Sequence, residues 1–198
     1  MSMYKKIALL FSLLCTLPQY ASCLTPWLEI KPSYFFFSES PMNEIYNHGC
    51  FKIQGSGSVL LNKYFGFYGS IGYQKASGRA LNSGEKTSLS VVPVDIGVKL
   101  VLNSEQNFYS FFAIGPRYFS YNQHNSSSYI GCAIDGGGIG FFANTGFNFT
   151  LADCFLFGVF GEYSYEKTIT YPSRPNVFSN GSVQIGGFAF GVSFGYKF

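Results

Sequence analysis

His124-Asn125-Ser126 places an imidazole two residues from a hydroxyl. On an extended strand such residues share a face. The imidazole of His124 could then take the Ser126 proton and leave the hydroxyl as a nucleophile. The setting points elsewhere, because the pair stands in a Ser- and Asn-rich stretch. We read it as a surface loop and expect no enzymatic activity. His48 stands alone in a second loop. Two separated histidines without clustered carboxylates do not make a metal site, so neither metal nor cofactor is expected. Asp135-Gly-Gly-Gly-Ile-Gly140 has the look of a phosphate loop, but no helix and no Lys follow it. It is read as a loop entering a strand.

A second set of residues is organised by period rather than by motif. Glu29, Lys31, Lys52, Asp95, Lys99, Arg117 and Glu162 each fall on the polar face of a segment whose other face is apolar. Both signs are present. Charges taken out of water must pair, or their desolvation goes uncompensated. If these faces turn inward, the seven residues should form an ion-pair network that fills a lumen.

The elements that would position them are strands. Period-2 alternation recurs in about eight segments: Trp27 to Phe37, Phe51 to Leu61, Tyr64 to Lys75, Leu89 to Leu102, Phe108 to Tyr121, Ile139 to Phe149, Phe155 to Thr170 and Val183 to Phe198. Their connections alternate. Asn62-Lys63, Asn103 to Asn107 and Leu151 to Cys154 are short. Ser38 to Gly49, Ala76 to Ser88, Asn122 to Gly138 and Tyr171 to Ser182 are long. Short turns on one side and long loops on the other are the pattern of transmembrane barrels.

Composition decides which face meets what. Only 12% of the residues are charged and 20% are aromatic, against about 25% charged in soluble proteins. No internal run has the ~18 apolar residues of a membrane helix. A chain that lives in lipid without such helices must close its strands into a barrel. The aromatic faces then suit lipid, and the sparse charges suit a narrow interior. Net charge is +3 with no basic run, which does not point to nucleic acid.

The N-terminus has the order of a secretory signal: Lys5 and Lys6, an apolar run from Ile7 to Leu17, Pro18, then Ala21 and Ser22. We take residues 1–23 as that signal and 24–198 as the barrel. Ala21-Ser22-Cys23 also resembles the end of a lipidation box, with Tyr20 where a small aliphatic residue is usual. Of five cysteines, Cys15 lies in the signal. Cys50 and Cys132 fall at loop–strand junctions of one side, where an oxidising compartment would allow a disulfide. Cys154 could meet Cys23, and spacing alone leaves the pairing open.

At the C-terminus Phe188, Phe190, Val192, Phe194, Tyr196 and Phe198 share one face and end on the last residue. This resembles the strand that the outer-membrane assembly machinery reads, carried here by Phe190, Val192, Phe194, Tyr196 and Phe198. With Trp27-Leu-Glu-Ile-Lys-Pro-Ser-Tyr-Phe-Phe-Phe and Gly115-Pro-Arg-Tyr-Phe, the chain resembles the small outer-membrane barrels of the OmpA/OmpX/OmpW-like superfamily. The resemblance implies an all-β, eight-stranded antiparallel up-and-down barrel, monomeric and integral to a bacterial outer membrane. It implies outer-membrane lipid, lipopolysaccharide and the assembly machinery as partners. A structural or surface-interaction role through the outer loops follows, with host-surface or other extracellular ligands. A narrow channel for small hydrophobic solutes is the alternative. His124 and Ser126 also resemble the His-x-Ser pair of outer-membrane lipid A deacylases, without matching flanks. No peptidoglycan-binding domain follows Phe198, so a cell-wall tether is not expected.

Overall fold

The computed structural model describes residues 25–46, 48–80, 84–102, 107–125, 133–167 and 184–198. Its strands are β1 (Thr25–Phe37), β2 (Cys50–Leu60), β3 (Phe65–Arg79), β4 (Lys86–Leu102), β5 (Phe108–Asn125), β6 (Ala133–Leu151), β7 (Phe155–Glu166) and β8 (Gly187–Lys197). Each pairs antiparallel with the next, and β8 returns to β1, so the sheet is a closed up-and-down barrel. The seam runs from Trp27 opposite Lys197 to Phe37 opposite Gly187. Closure pairs every strand on both sides, so no edge is left for lipid to strand.

The period seen in the sequence becomes a strict division of faces. Along β2, Lys52, Gln54, Ser56 and Ser58 are buried while Phe51 and Ile53 are exposed. Isoleucine and valine occupy the middle of the outer surface, as at Ile30, Ile71 and Ile96. Aromatic pairs gather at its two ends. Phe155–Tyr196, Phe108–Phe149 and Phe157–Phe194 ring the short-turn end; Tyr34–Phe36 and Tyr163–Phe188 ring the other. Two aromatic girdles flanking an aliphatic band are what a bilayer selects.

The short turns follow local chemistry. Asn62 Oδ1 accepts from the backbone N–H of Tyr64 and Phe65 at 2.9 and 2.8 Å, folding β2 into β3. Between β6 and β7, Ala152 and Asp153 take φ of 48° and 61°. Left-handed residues of this kind match the twist of a tight hairpin.

Three expectations are corrected at the long-loop end. β3, β4, β5 and β6 run several residues further than alternation indicated, because their outer ends are polar on both faces and carry no apolar period. Asp135 to Gly140 is therefore strand, paired with Asn122 to Arg117 in β5, and not a loop. His124 likewise lies in β5, opposite Ala133 and Ser88. β7 and β8 are bounded at Glu166 and Gly187, an antiparallel bridge continues between Lys167 and Gln184, and the expected strand ends at Thr170 and Val183 lie outside the described residues.

A helix also stands where only a loop was expected. α1 (Ser40–Ile45) is one and a half turns started by Pro41, whose fixed φ suits the first helical turn. It folds over the barrel mouth because Met42 and Tyr46 bury themselves against Phe37, Leu89, Val91 and Phe119. Asn43 Nδ2 donates to the Phe37 carbonyl at 2.9 Å and ties the helix to β1. The segment before β8 is clasped to the same loop. Ser38 N–H and Oγ both donate to Gly186 O, at 3.0 and 2.9 Å, and Gln184 Nε2 donates to Ser38 Oγ at 2.9 Å.

Candidate functional site

The interior of the barrel holds three layers. At the short-turn end Trp27, Leu60, Val101, Tyr109, Phe111, Leu156 and Phe160 pack together. At the α1 end lies the cluster of Phe35, Phe37, Met42, Tyr46, Leu89, Phe119, Tyr121 and Ile185. Between them sits a band of charge. The interior had been expected to be small, polar and charged throughout. The two apolar lids come from the residues that alternation leaves inward at the strand ends, such as Trp27 and Phe37.

The charged band is organised around Arg117, which is 1% exposed. Its Nε and Nη2 donate to the two oxygens of Asp95 at 2.5 and 2.8 Å. This bidentate grip suits the planar guanidinium. Nη2 also reaches Glu162 Oε1 at 2.7 Å, and Nη1 reaches Glu166 Oε1 at 2.9 Å. Lys52 Nζ donates to the same Glu162 oxygen at 2.5 Å. Gln54 Nε2 and Ser70 Oγ supply further donors to Asp95 Oδ2, at 3.0 and 2.5 Å.

A second knot lies toward the short turns. Lys99 Nζ donates to Glu29 Oε2 at 3.0 Å, and Asn148 Nδ2 donates to Glu29 Oε1 at 3.1 Å. Lys31 Nζ is 3.7 Å from Glu29 Oε2 and makes no hydrogen bond within geometric limits to a described residue. The rings of Tyr68, Phe111 and Phe160 surround it at 5.0–5.3 Å. Cation–π attraction, about 2 kcal/mol when desolvated, offsets part of the burial of this ammonium.

All seven charges singled out by period are buried and face one another here. An eighth belongs with them. Glu166 is 1% exposed and bound by Arg117. It stands on the polar face of β7, four residues after Glu162. The signal for it was the charge balance: Lys31, Lys52, Lys99 and Arg117 oppose Glu29, Asp95 and Glu162, which leaves one positive charge over. Glu166 brings the buried formal charge to zero. Above the band, burial raises the Tyr46 phenol pKa from its ordinary value, a push that its hydrogen bond to Thr87 opposes.

The other candidate residues are scattered. His124 is exposed on the outer surface of β5, and Ser126 lies outside the described residues. His48 is exposed in the turn before β2, at φ 67°. Cys50 is a buried thiol with no disulfide to a described residue, and Cys132 lies outside them. Cys154, in the β6–β7 turn, is likewise unbridged among the described residues. Phe190, Phe194, Tyr196 and Phe198 are 40–66% exposed on the outer face of β8 and after it, with Val192 half-buried among them. Ser193 is buried in the lumen, and Gly191, Gly195 and Lys197 are partly covered.

This architecture is shared with known outer-membrane proteins. The chain is similar to the crystal structure of OprG from Pseudomonas aeruginosa, with a TM-score of 0.66 at 13% identity over 89% of this chain and 96% of that one. It is similar to Neisserial surface protein A, at 0.55 and 11% over 88% and 97%. It is also similar to Ail of Yersinia pestis, solved with the heparin analogue sucrose octasulfate, at 0.54 and 11% over 88% and 97%. At these identities the likeness is one of fold. No curated protein matches by sequence. A family model described as the outer membrane protein beta-barrel domain matches residues 7–198. With eight closed strands, a lipid-suited exterior and a buried charge band, the chain belongs to the outer membrane protein β-barrel family and is an integral protein of a Gram-negative outer membrane.

Proposed function

We propose that this protein is a non-enzymatic, non-conducting barrel that acts as a structural platform and presents its outer loops to extracellular ligands. The observation that carries this reading is the filled lumen. Eight mutually neutralising charges and two apolar lids occupy an interior that an eight-stranded barrel makes only wide enough for side chains. A pore would need water where Arg117, Lys31 and their partners stand. Reconstitution into planar bilayers is expected to give no steady conductance. A stable open level at low voltage would overturn the closed-lumen reading.

The same observation weighs against the hydrophobic-solute channel, since Met42 and Tyr46 lie across the apolar mouth. Swelling of proteoliposomes in apolar solutes would favour the channel instead. For the deacylase chemistry, lipid A from expressing cells is expected to keep its acylation pattern by mass spectrometry. The surface role predicts that replacing residues 171–182 by a short Gly-Ser turn abolishes binding to host-cell surfaces. Retained binding would move the role off that loop. That Ail was solved with a sulfated saccharide supports testing such ligands first.

A further inference from the structure

Gln184 joins two parts of the outer rim that lie far apart in the chain. Its backbone pairs with Lys167 in an antiparallel bridge beyond β7 and β8, so it stands at the base of the β7–β8 connection. Its side-chain Nε2 donates to Ser38 Oγ at 2.9 Å, and its backbone N–H donates to Glu39 Oε1 at 3.3 Å. Ser38 and Glu39 lead directly into α1. Two residues on, Gly186 O accepts from both the N–H and the hydroxyl of Ser38. Four hydrogen bonds therefore run between the entrance of α1 and residues 184–186.

The helix needs this clasp. Glu39 is the N-cap residue of α1, where a side-chain oxygen ordinarily accepts from the first free N–H groups of the helix. Glu39 makes no such capping bond. Its carboxylate reaches across to Gln184 instead. Six residues do not hold a helix by themselves in water, so α1 depends on what seats it. On the barrel side the seat is the burial of Met42 and Tyr46, the Asn43 bond to the Phe37 carbonyl and the close approach of Ile45 to Gly78. At its entrance the seat is the clasp. Ile185 lies between the two clasp residues and is buried in the same cluster as Met42 and Tyr46. Its N–H donates to the Glu166 carbonyl at 2.8 Å. The base of the connection, the clasp and the helix are thus packed as one unit.

We propose that Gln184 latches α1 to the base of the β7–β8 connection, so that lid and connection open together. A ligand that shifts the connection releases α1 and bares Phe37, Leu89, Val91 and Phe119 beneath it. Only that trigger rests on the surface-ligand reading. Coupling of this kind is reciprocal: loosening either partner loosens the other.

Limited proteolysis of the full-length barrel in micelles reads both ends without any ligand, so the latch and the surface role can fail separately. Chymotrypsin cutting after Tyr46 reports on the lid, and trypsin cutting after Lys167 reports on the connection. Trypsin cutting after Lys63, at the short-turn end, reports on the barrel. Mass spectrometry of the fragments assigns each cut. Cleavage of a native chain tracks the population of its locally opened form. Q184A removes the bond to Ser38 and is expected to speed cutting after Tyr46 about fivefold, equivalent to ~1 kcal/mol. In G78V an added side chain strikes the Ile45 carbonyl and lifts α1 without touching the clasp. Cutting after Lys167 is expected to rise by a similar factor there. Cutting after Lys63 should keep its wild-type rate in both. Heat-modified gel mobility verifies that each variant folds. Gln184 is half-buried at the rim, so Q184A is a mild change and decides the matter by itself if G78V does not fold. Unchanged cutting after Tyr46 in Q184A overturns the proposal, as does unchanged cutting after Lys167 in folded G78V. An equal rise after Lys63 would mean that the barrel loosens as a whole and would also overturn it.

Discussion

Arg117 carries more of the interior than any other single side chain, because three carboxylates converge on it. Removing one partner from a buried charge group leaves the others unpaired, at a cost of about 3–5 kcal/mol. R117M should therefore lower the unfolding free energy in micelles, read from urea titration, by an amount in that range, with a lower urea midpoint. R117K keeps the charge but loses the bidentate grip on Asp95, and should fall between. A midpoint for R117M equal to wild type would show that the charged band is solvated rather than sealed. The seven charges named from the sequence were legible because period 2 forces a face and composition forces that face inward. Glu166 was on the same face and was missed. Its partner, Arg117, is 49 residues away in sequence, and no local pattern reports such a neighbour.

At the scale of elements, the strands were legible through their middles and not at their ends. Inside the lipid band one face must be apolar, so alternation is enforced. Beyond it the apolar alternation stops, and β5 and β6 extend through Asn122 and Gly136 by backbone pairing, joined by the Asn122 Nδ2 to Asp135 Oδ1 hydrogen bond. The ladder also tolerates proline. The β3–β4 pairing passes from Ile71–Val94 to Gln74–Val91 with Pro93 between them, since Pro has no N–H to give. The helix α1 left a weak trace, a Ser-Pro pair, because six residues do not make a helical period. Its seat is set by Gly78 of β3, where an added Cβ would strike the Ile45 carbonyl and come within 2.9 Å of Tyr46 Cα. G78V should unseat α1 while leaving the barrel closed. Chymotrypsin should then cut after Tyr46 about tenfold faster, the change expected for ~1.4 kcal/mol of local opening. Unchanged cleavage would mean that the lid is held from elsewhere.

For the whole molecule, closure depends on the last strand. Lys197 N–H donates to the Cys154 carbonyl at 2.7 Å and Phe198 N–H to the Pro26 carbonyl at 3.0 Å, so the final residues bridge to β1 and to the β6–β7 turn. Phe198 is 66% exposed on the outer surface, where its ring packs edge-on against Tyr196 at a centroid distance of 4.9 Å. If the ring acts as an assembly signal, F198A should insert more slowly into liposomes containing the assembly machinery, yet reach the same unfolding midpoint once folded. Equal insertion rates would remove Phe198 from that role.

By itself the amino-acid sequence determined the class, the strand number, the alternation of short and long connections, and the inversion of faces. Each of these is a local or compositional property: a strand cannot hide its period, and a chain with so few charges cannot clothe a soluble surface. Only the tertiary structure decided which charges meet, that Glu166 neutralises the band, that apolar lids close both ends, and that Gln184 meets Ser38 and Glu39 at the rim. Those depend on register between strands far apart in the chain. A shift of one residue would reverse every face, and the pairing that prevents it is a property of the closed barrel as a whole.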